Sequence, residues 1–258
     1  SLYKTAFLGL KKIYVGLENY GELLTSSDYQ HSVVVSLAFS FGVTLLGMAI
    51  SLAIALLANQ KVTGARIYRM ALIWPYALSP AVSGAIWLFL FNPTAGVVNY
   101  FTSTLFGVKP DWVTVGPLAL FMVTAAAVWN QLGYNIVFFL AGLQNLPGDI
   151  LEAAEVDGAN AWHKFWKVTL PLLSPIAFFL LVMNLIYSFF GTFGMVDVMT
   201  KGGPADATNI LIYNLYKDAF QNYKSGFAAA QSVILLLIVT GLTLLQFRTT
   251  GRRVHYGA

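Results

Sequence analysis

The chain has 258 residues, of which 57% are hydrophobic and 10% charged, with a mean hydropathy of +0.68 and a net charge of +4. An ordinary soluble domain carries about 25% charge, so this composition excludes a water-soluble globule and leaves one membrane-embedded unit over 1–258. With no cysteine there can be no disulfide, thiolate metal site or cysteine nucleophile, and no basic cluster suited to nucleic acid is present.

The charged residues leave five uncharged runs, 29–60, 70–108, 112–148, 168–196 and 225–247. Each exceeds the roughly 20 residues that a helix needs to cross about 30 Å of hydrocarbon. They predict transmembrane helices near 32–58, 70–91, 118–141, 171–194 and 229–247, an all-α polytopic protein. A membrane β-barrel does not fit, because Ile234 to Val239 is continuously apolar where a barrel strand would alternate.

The loops set the orientation. Lys61, Arg66 and Arg69 follow the first span and Arg248, Arg252 and Arg253 follow the last, with no acid in either segment. Positive charge is retained on the cytoplasmic side. Segments 1–31, 92–117 and 195–228 then face outward, which leaves the N-terminus outside with no span to carry it across, so a further upstream helix is expected.

Along the first span Ser36, Ser40, Thr44, Gly47, Ser51 and Ala55 share a face suited to close helix packing. Pro75 and Pro80 predict a kink in the second, since proline removes a backbone donor and crowds the preceding turn. Trp74, Trp87 and Trp112 read as anchors at the membrane interface. In the third span Thr124, Gln131 and Asn135 fall on one face, with Asn130 and Tyr134 beside them. In the fourth, Asn184, Tyr187, Ser188, Gly191 and Thr192 make a similar stripe. These stripes are either hydrogen-bonded glue between helices or the lining of a path for a hydroxyl-rich solute. The spans hold no charged residue or histidine, which argues against proton-coupled pumping.

Between the third and fourth spans, 142–170 carries Asp149, Glu152, Glu155 and Asp157 against Lys164 and Lys167, contrary to the positive-inside pattern. Leu146-Pro147-Gly148-Asp149 predicts the start of a short helix, Gly158 its end, and Asn160 to Val168 a second short helix, with Pro171 closing the unit as the next span begins. Exposed acids and the aromatic residues Trp162, Phe165 and Trp166 around a glycine elbow suit docking of a cytoplasmic protein. A helix lying on lipid would instead be rich in Lys and Arg.

Glu152-Ala153-Ala154, Asp157-Gly158, Val168 and Leu170-Pro171, at this spacing, resemble the EAA motif of binding-protein-dependent ABC importer permeases. Pro75-Tyr76-Ala77, Leu88 to Pro93, Gly202-Gly203-Pro204 with Ala207-Thr208, Leu211-Ile212-Tyr213 and Ala230 to Val233 are similar to its carbohydrate-uptake group. The resemblance implies that 142–170 couples to an ATPase through Glu152, Ala153, Ala154, Asp157, Gly158, Leu170 and Pro171. It also places Gly202, Gly203 and Pro204, within 195–228, near a solute-binding protein. It implies a bacterial inner-membrane permease for sn-glycerol-3-phosphate or a related glycerophosphodiester, with a sugar or oligosaccharide as the alternative. Gln131, Tyr134, Asn135, Asn184, Tyr187 and Ser188 would line its path. The implied partners are a second related permease in a heterodimer, two ATPase subunits and the binding protein. The chain has no G-x-x-x-x-G-K-[ST] phosphate loop, so ATP and Mg would sit on the ATPase. His31, His163 and His255 lie far apart in sequence and outside the spans, so nothing points to an enzyme. A stand-alone secondary carrier or channel is the remaining alternative.

Overall fold

The computed structural model describes residues 1–6, 11–60 and 65–249. Lys61, Arg252, Arg253 and His255 lie outside the described residues, as do the side chains of Arg66 and Arg69. A short antiparallel pair, β1 (Tyr3–Ala6) and β2 (Lys11–Tyr14), opens the chain. α1 (Glu18–Thr25) follows, and Lys4 reaches Glu18 and Glu22, one helical turn apart, at 2.8 and 2.5 Å. Those carboxylates hold the Lys4 ammonium above its ordinary range.

α2 (Ser27–Ala58) is the first helix long and apolar enough to cross a membrane. It begins five residues before the expected span because the Ser26 hydroxyl accepts from the Tyr29 amide and caps it, which brings Asp28 and His31 into the first turns. The second span is broken more sharply than a kink. α3 (Ala65–Ile73) runs through a 3₁₀ turn at Trp74–Ala77, and α4 (Pro80–Leu90) then leaves at 108°. Leu78 and Ser79 are extended, Ser79 caps the Val82 amide, and Pro80 sits at the first helical position, where its missing N–H costs nothing. α5 (Val97–Phe106) ends at Gly107, whose φ of +69° suits glycine.

α6 (Gly116–Gln144) is the second helix long and apolar enough to cross a membrane and holds the third expected span. α7 (Gly148–Val156) and α8 (Ala161–Lys164) follow. The second short helix does not stop at Val168. A π-helical turn at Phe165–Thr169 leads into α9 (Leu170–Leu172), where Pro171 occupies the first turn, and on to α10 (Ser174–Ile186) and a further π turn at Tyr187–Gly191. Residues 174–191 form the third membrane-length helix and hold the fourth expected span. α11 (Phe193–Met199) and α12 (Leu211–Tyr216), with a π turn at Lys217–Gln221, precede α13 (Ser225–Thr249), the last such helix. Counting the bent pair, the described residues provide the five expected spans.

The chain divides into two compact units, Ser1–Val43 with Ser79–Ala127 and Ile186–Gly241, and Thr44–Leu78 with Val128–Leu185 and Leu242–Ala258. The first has Phe39, Val43, Met122, Val123, Met195 and Tyr213 at its centre. There α4 lies close against α11, since a Cβ on Gly84 would stand 3.2 Å from the Met195 backbone. Trp112 belongs to this core, not to the interface. It is buried, its Nε1 donates to Asn99 Oδ1 at 2.6 Å, and its ring meets Phe91 edge to face. Burial of the indole is tolerated because its N–H has a partner.

The second unit is built on Ala55, Phe139, Leu143, Leu173 and Leu180. Glycine sets two close approaches in it. A Cβ on Gly133 would lie 2.6 Å from the Ile73 carbonyl oxygen, and one on Gly142 would run into the Ile176 side chain. The small-residue face of α2 is buried as expected at Ser36, Ser40, Gly47, Ser51 and Ala55.

Candidate functional site

Two regions of the second unit carry its chemistry. The first lies on α7 and α8. No residue of α7 is fully buried, and of its apolar residues only Leu151 and Ala154 are partly covered. The helix ends in a double bond, with the Gly158 amide donating to Glu155 O and the Ala159 amide to Ala154 O, both at 3.0 Å. That closure needs a left-handed residue after the cap, and Gly158 supplies it with a φ of +79°. Asn160 then caps α8 by accepting from the His163 amide at 2.9 Å.

Glu152, Ala153 and Asp157 stand exposed, and Ala154 is partly covered. Glu155 pairs with Lys164 across the elbow. Val156 is 87% exposed and Trp162 68%, the ring of Trp162 meeting Trp166 at 5.5 Å. Ala154, Asp157, Gly158, Asn160, His163 and Lys167 help to line a cleft of about 440 Å³. Leu170 and Pro171, half-buried, lie further along, in α9. A surface that combines exposed acids, large apolar side chains and a cleft, without burying its own helix, is suited to binding another protein.

The second region is internal. Asn135 and Asn184 are fully buried and hold each other by reciprocal amide bonds, Asn135 Nδ2 to Asn184 Oδ1 at 3.0 Å and Asn184 Nδ2 to Asn135 Oδ1 at 2.8 Å. Gly47 packs beside them, and a Cβ there would meet both amides at 3.7 Å, an ordinary contact distance. Gln131 is buried nearby on α6, and the Tyr134 ring packs between those of Tyr76 (5.3 Å) and Phe138 (4.8 Å). Asn130 has a separate task. Its Nδ2 donates at 3.2 Å to the Pro75 and Leu78 carbonyls, which the proline break exposes. The signal for this was available, an amide facing a doubled proline, but its partner was not.

Of the other stripe residues, Ser188 belongs to the first unit and shares a 2.6 Å hydroxyl bond with Ser40. Tyr187 Oη reaches Ala127 O at 3.4 Å, and the Thr124 and Thr192 hydroxyls bond carbonyls one turn back on their own helices. Gly202, Gly203 and Pro204 form a turn closed by Thr208, which is buried and donates to Gly203 O at 2.6 Å, while the Thr208 amide donates to Gly202 O at 3.1 Å. The Tyr213 ring lies 3.1 Å from the place of a Cβ on Gly202. Burial pushes its phenol above the ordinary range, with Asp197 adding to the effect. Among the described residues no cluster of His, Asp and Glu could hold a metal ion.

Residues 46–249 match the family model described as binding-protein-dependent transport system inner membrane component. The chain is 46% identical over 249 residues, 96% of its length and 85% of the relative's, to the sn-glycerol-3-phosphate transport system permease protein UgpA of Rhizobium meliloti (strain 1021). It is 43% identical over 248 residues to the same-named protein of Pectobacterium atrosepticum, covering 96% and 84% of the two chains. The fold is similar to a chain of a bacterial alginate ABC transporter solved in complex with an alginate pentasaccharide-bound periplasmic protein, at a TM-score of 0.84 and 19% identity over 95% of this chain and 86% of that one. It is also similar to a chain of the inward-facing methionine ABC transporter MetNI, at a TM-score of 0.59 and 18% identity over 87% and 95%. The exposed elbow of α7 and α8, the polar faces of its apolar helices and these likenesses together place the chain in the family of binding-protein-dependent transport system inner membrane components, as a transport permease.

Proposed function

We propose that this permease imports sn-glycerol-3-phosphate or a related glycerophosphodiester, delivered outside the bacterial inner membrane by a solute-binding protein and driven by ATP hydrolysis on separate subunits. The observation that carries the substrate is 46% identity over nearly the whole chain to a permease named for that solute. The assembly includes a second related permease in a heterodimer and two ATPase subunits. ATP and Mg belong to those subunits, and this chain does no chemistry on the solute. Residues 146–170 dock the ATPase, with Glu152 and Gly158 as the key positions, and the Gly202-Gly203-Pro204 turn faces the binding protein.

In this reading the amide pair of Asn135 and Asn184, with Gln131 and Tyr134, contributes neutral hydrogen-bonding groups to the path within its unit, and Tyr187 and Ser188 do so within theirs. Because the apolar stretches of the helices carry no cation, the phosphate charge is recognised by the binding protein, the partner permease or backbone donors.

Reconstitution of the chain with its partner subunits and binding protein in proteoliposomes tests the proposal. ATP-dependent uptake of labelled sn-glycerol-3-phosphate, unaffected by excess maltose or maltotriose, is the expected result. Uptake of an oligosaccharide alone would reassign the solute, and uptake without ATP would make the chain a secondary carrier.

A further inference from the structure

We propose that α5 is an interfacial helix, with its outward face seated in the headgroup and acyl boundary of the outer leaflet. The helix is inside out for water. At 100° per residue, Val97, Tyr100, Phe101, Thr104 and Leu105 fall within one continuous arc, and its four apolar members are between 47 and 69% exposed. The opposite side carries Asn99, which is 4% exposed.

The roll of the helix is locked in that sense. Asn99 Nδ2 donates to Pro93 O at 2.9 Å and to Pro110 O at 3.1 Å, and its Oδ1 accepts from the Trp112 indole. Trp112 lies in the core of the first unit and Val98 packs against that core, so α5 cannot turn its apolar arc inward without breaking three bonds.

Three further features select lipid as the occupant. First, no charged residue occurs from Asn92 to Val108, whereas the rim of a protein interface is polar and charged. Second, the hydroxyls of Thr102, Ser103 and Thr104 are bonded within the helix itself. Thr102 Oγ1 donates to Asn99 O, and Ser103 Oγ and Thr104 Oγ1 both donate to Tyr100 O, at 3.3, 3.0 and 2.8 Å. Such back-bonding satisfies these three donors without water, and the Tyr100 phenol suits the headgroup level, where tyrosine is enriched.

Third, α5 is tethered close to the membrane. The link from α4 is a tight turn in which Asn92 Oδ1 accepts from the Thr94 and Ala95 amides and the Gly96 amide donates to Asn92 O. Even fully extended, its six residues could reach only about 20 Å. The basic face usual in free interfacial helices is not required here, because the flanking helices supply the membrane attachment and the polar side is occupied by protein.

The cysteine-free chain allows a direct test in the assembled transporter. Val97→Cys, Phe101→Cys, Leu105→Cys and Ser103→Cys, with Ala205→Cys as the aqueous reference, are labelled with an environment-sensitive fluorophore and reconstituted into phosphatidylglycerol and phosphatidylethanolamine vesicles. Nitroxides are placed either near the headgroup or deep in the acyl chain. The expected result is blue-shifted emission at 97, 101 and 105, with shallow-nitroxide quenching about twofold or more above that at 103 and 205 and weaker quenching by the deep probe. If one variant fails to assemble, the remaining positions of the arc decide the outcome. Emission at 101 and 105 as aqueous as at 205 would overturn the proposal. So would blue-shifted emission without lipid quenching, or quenching abolished by the binding protein, since each marks protein as the occupant.

Discussion

Within the second unit, polar residues are used in two opposite ways. Asn135 and Asn184 are fully buried and bond each other reciprocally, so in this conformation the pair rigidifies the packing of α6 against α10. On α7, further along the chain, the polar side chains are charged and exposed and no residue is fully buried, and the glycine closure and the Glu155–Lys164 pair tie the helix to α8. A buried polar pair is costly to break because each amide left unpaired is desolvated. Exposed charges contribute little to stability and are available to a partner. Substitutions in the first region should therefore act on stability, and those in the second on coupling.

The largest effects are expected at the elbow. Gly158→Val places a β-branched residue at a φ of +79°, with strain of about 1–3 kcal/mol, although nothing within 4 Å would meet the added Cβ. Both this change and Glu152→Ala should leave membrane insertion intact and reduce binding-protein-stimulated ATP hydrolysis by about tenfold or more, the loss of about 1.4 kcal/mol of coupling free energy. Measurement of hydrolysis and of ATPase retention on washed membranes checks this, and an unchanged rate in both variants would move the docking site elsewhere.

The internal pair should behave in the reverse manner. Asn135→Leu leaves the Asn184 carbonyl without its donor in an apolar setting and should cost about 1–3 kcal/mol, whereas Asn135→Leu with Asn184→Leu removes both amides and should be closer to neutral. Thermal unfolding of the purified assembly measures the stability. Uptake in the double variant decides whether the amides also meet the solute. Normal transport at normal stability would leave them as packing alone.

The smallest effect is expected at the ion pair between Glu155 and Lys164, whose side chains are 60 and 29% exposed. Lys164→Ala should change unfolding by no more than about 1 kcal/mol. A larger loss would mean that the exposed surface does hold the unit together.

Much of this organisation was legible in the chain. The uncharged runs located the spans because a helix in hydrocarbon cannot easily carry charge, and Gly158 located the elbow because few other residues tolerate its backbone. The small-residue face of α2 was equally readable. Periodicity gives a face but not its partner, however. It put Asn135 and Asn184 on polar stripes without showing that they bond each other, and Trp112 read by residue type as an interface anchor because its partner Asn99 lies in α5, apart from the turn that holds the indole. The break at Pro75 and Pro80 was legible as a kink. Its 108° bend follows from Leu78 and Ser79 adopting extended conformations, a choice supported by the bonds that Asn130 makes from a distant part of the sequence.

The central claim is that the exposed elbow is the contact through which ATP hydrolysis reaches the membrane helices. Val156→Cys, at the most exposed apolar position of α7, carrying a short photoactivatable crosslinker in the complete assembly, tests it directly. The account predicts a crosslink to the ATPase subunit whose yield changes when ATP is bound, and little crosslinking from Ala205→Cys labelled in the same way. Absence of any ATPase adduct from position 156, in an assembly that still hydrolyses ATP and transports, would contradict it.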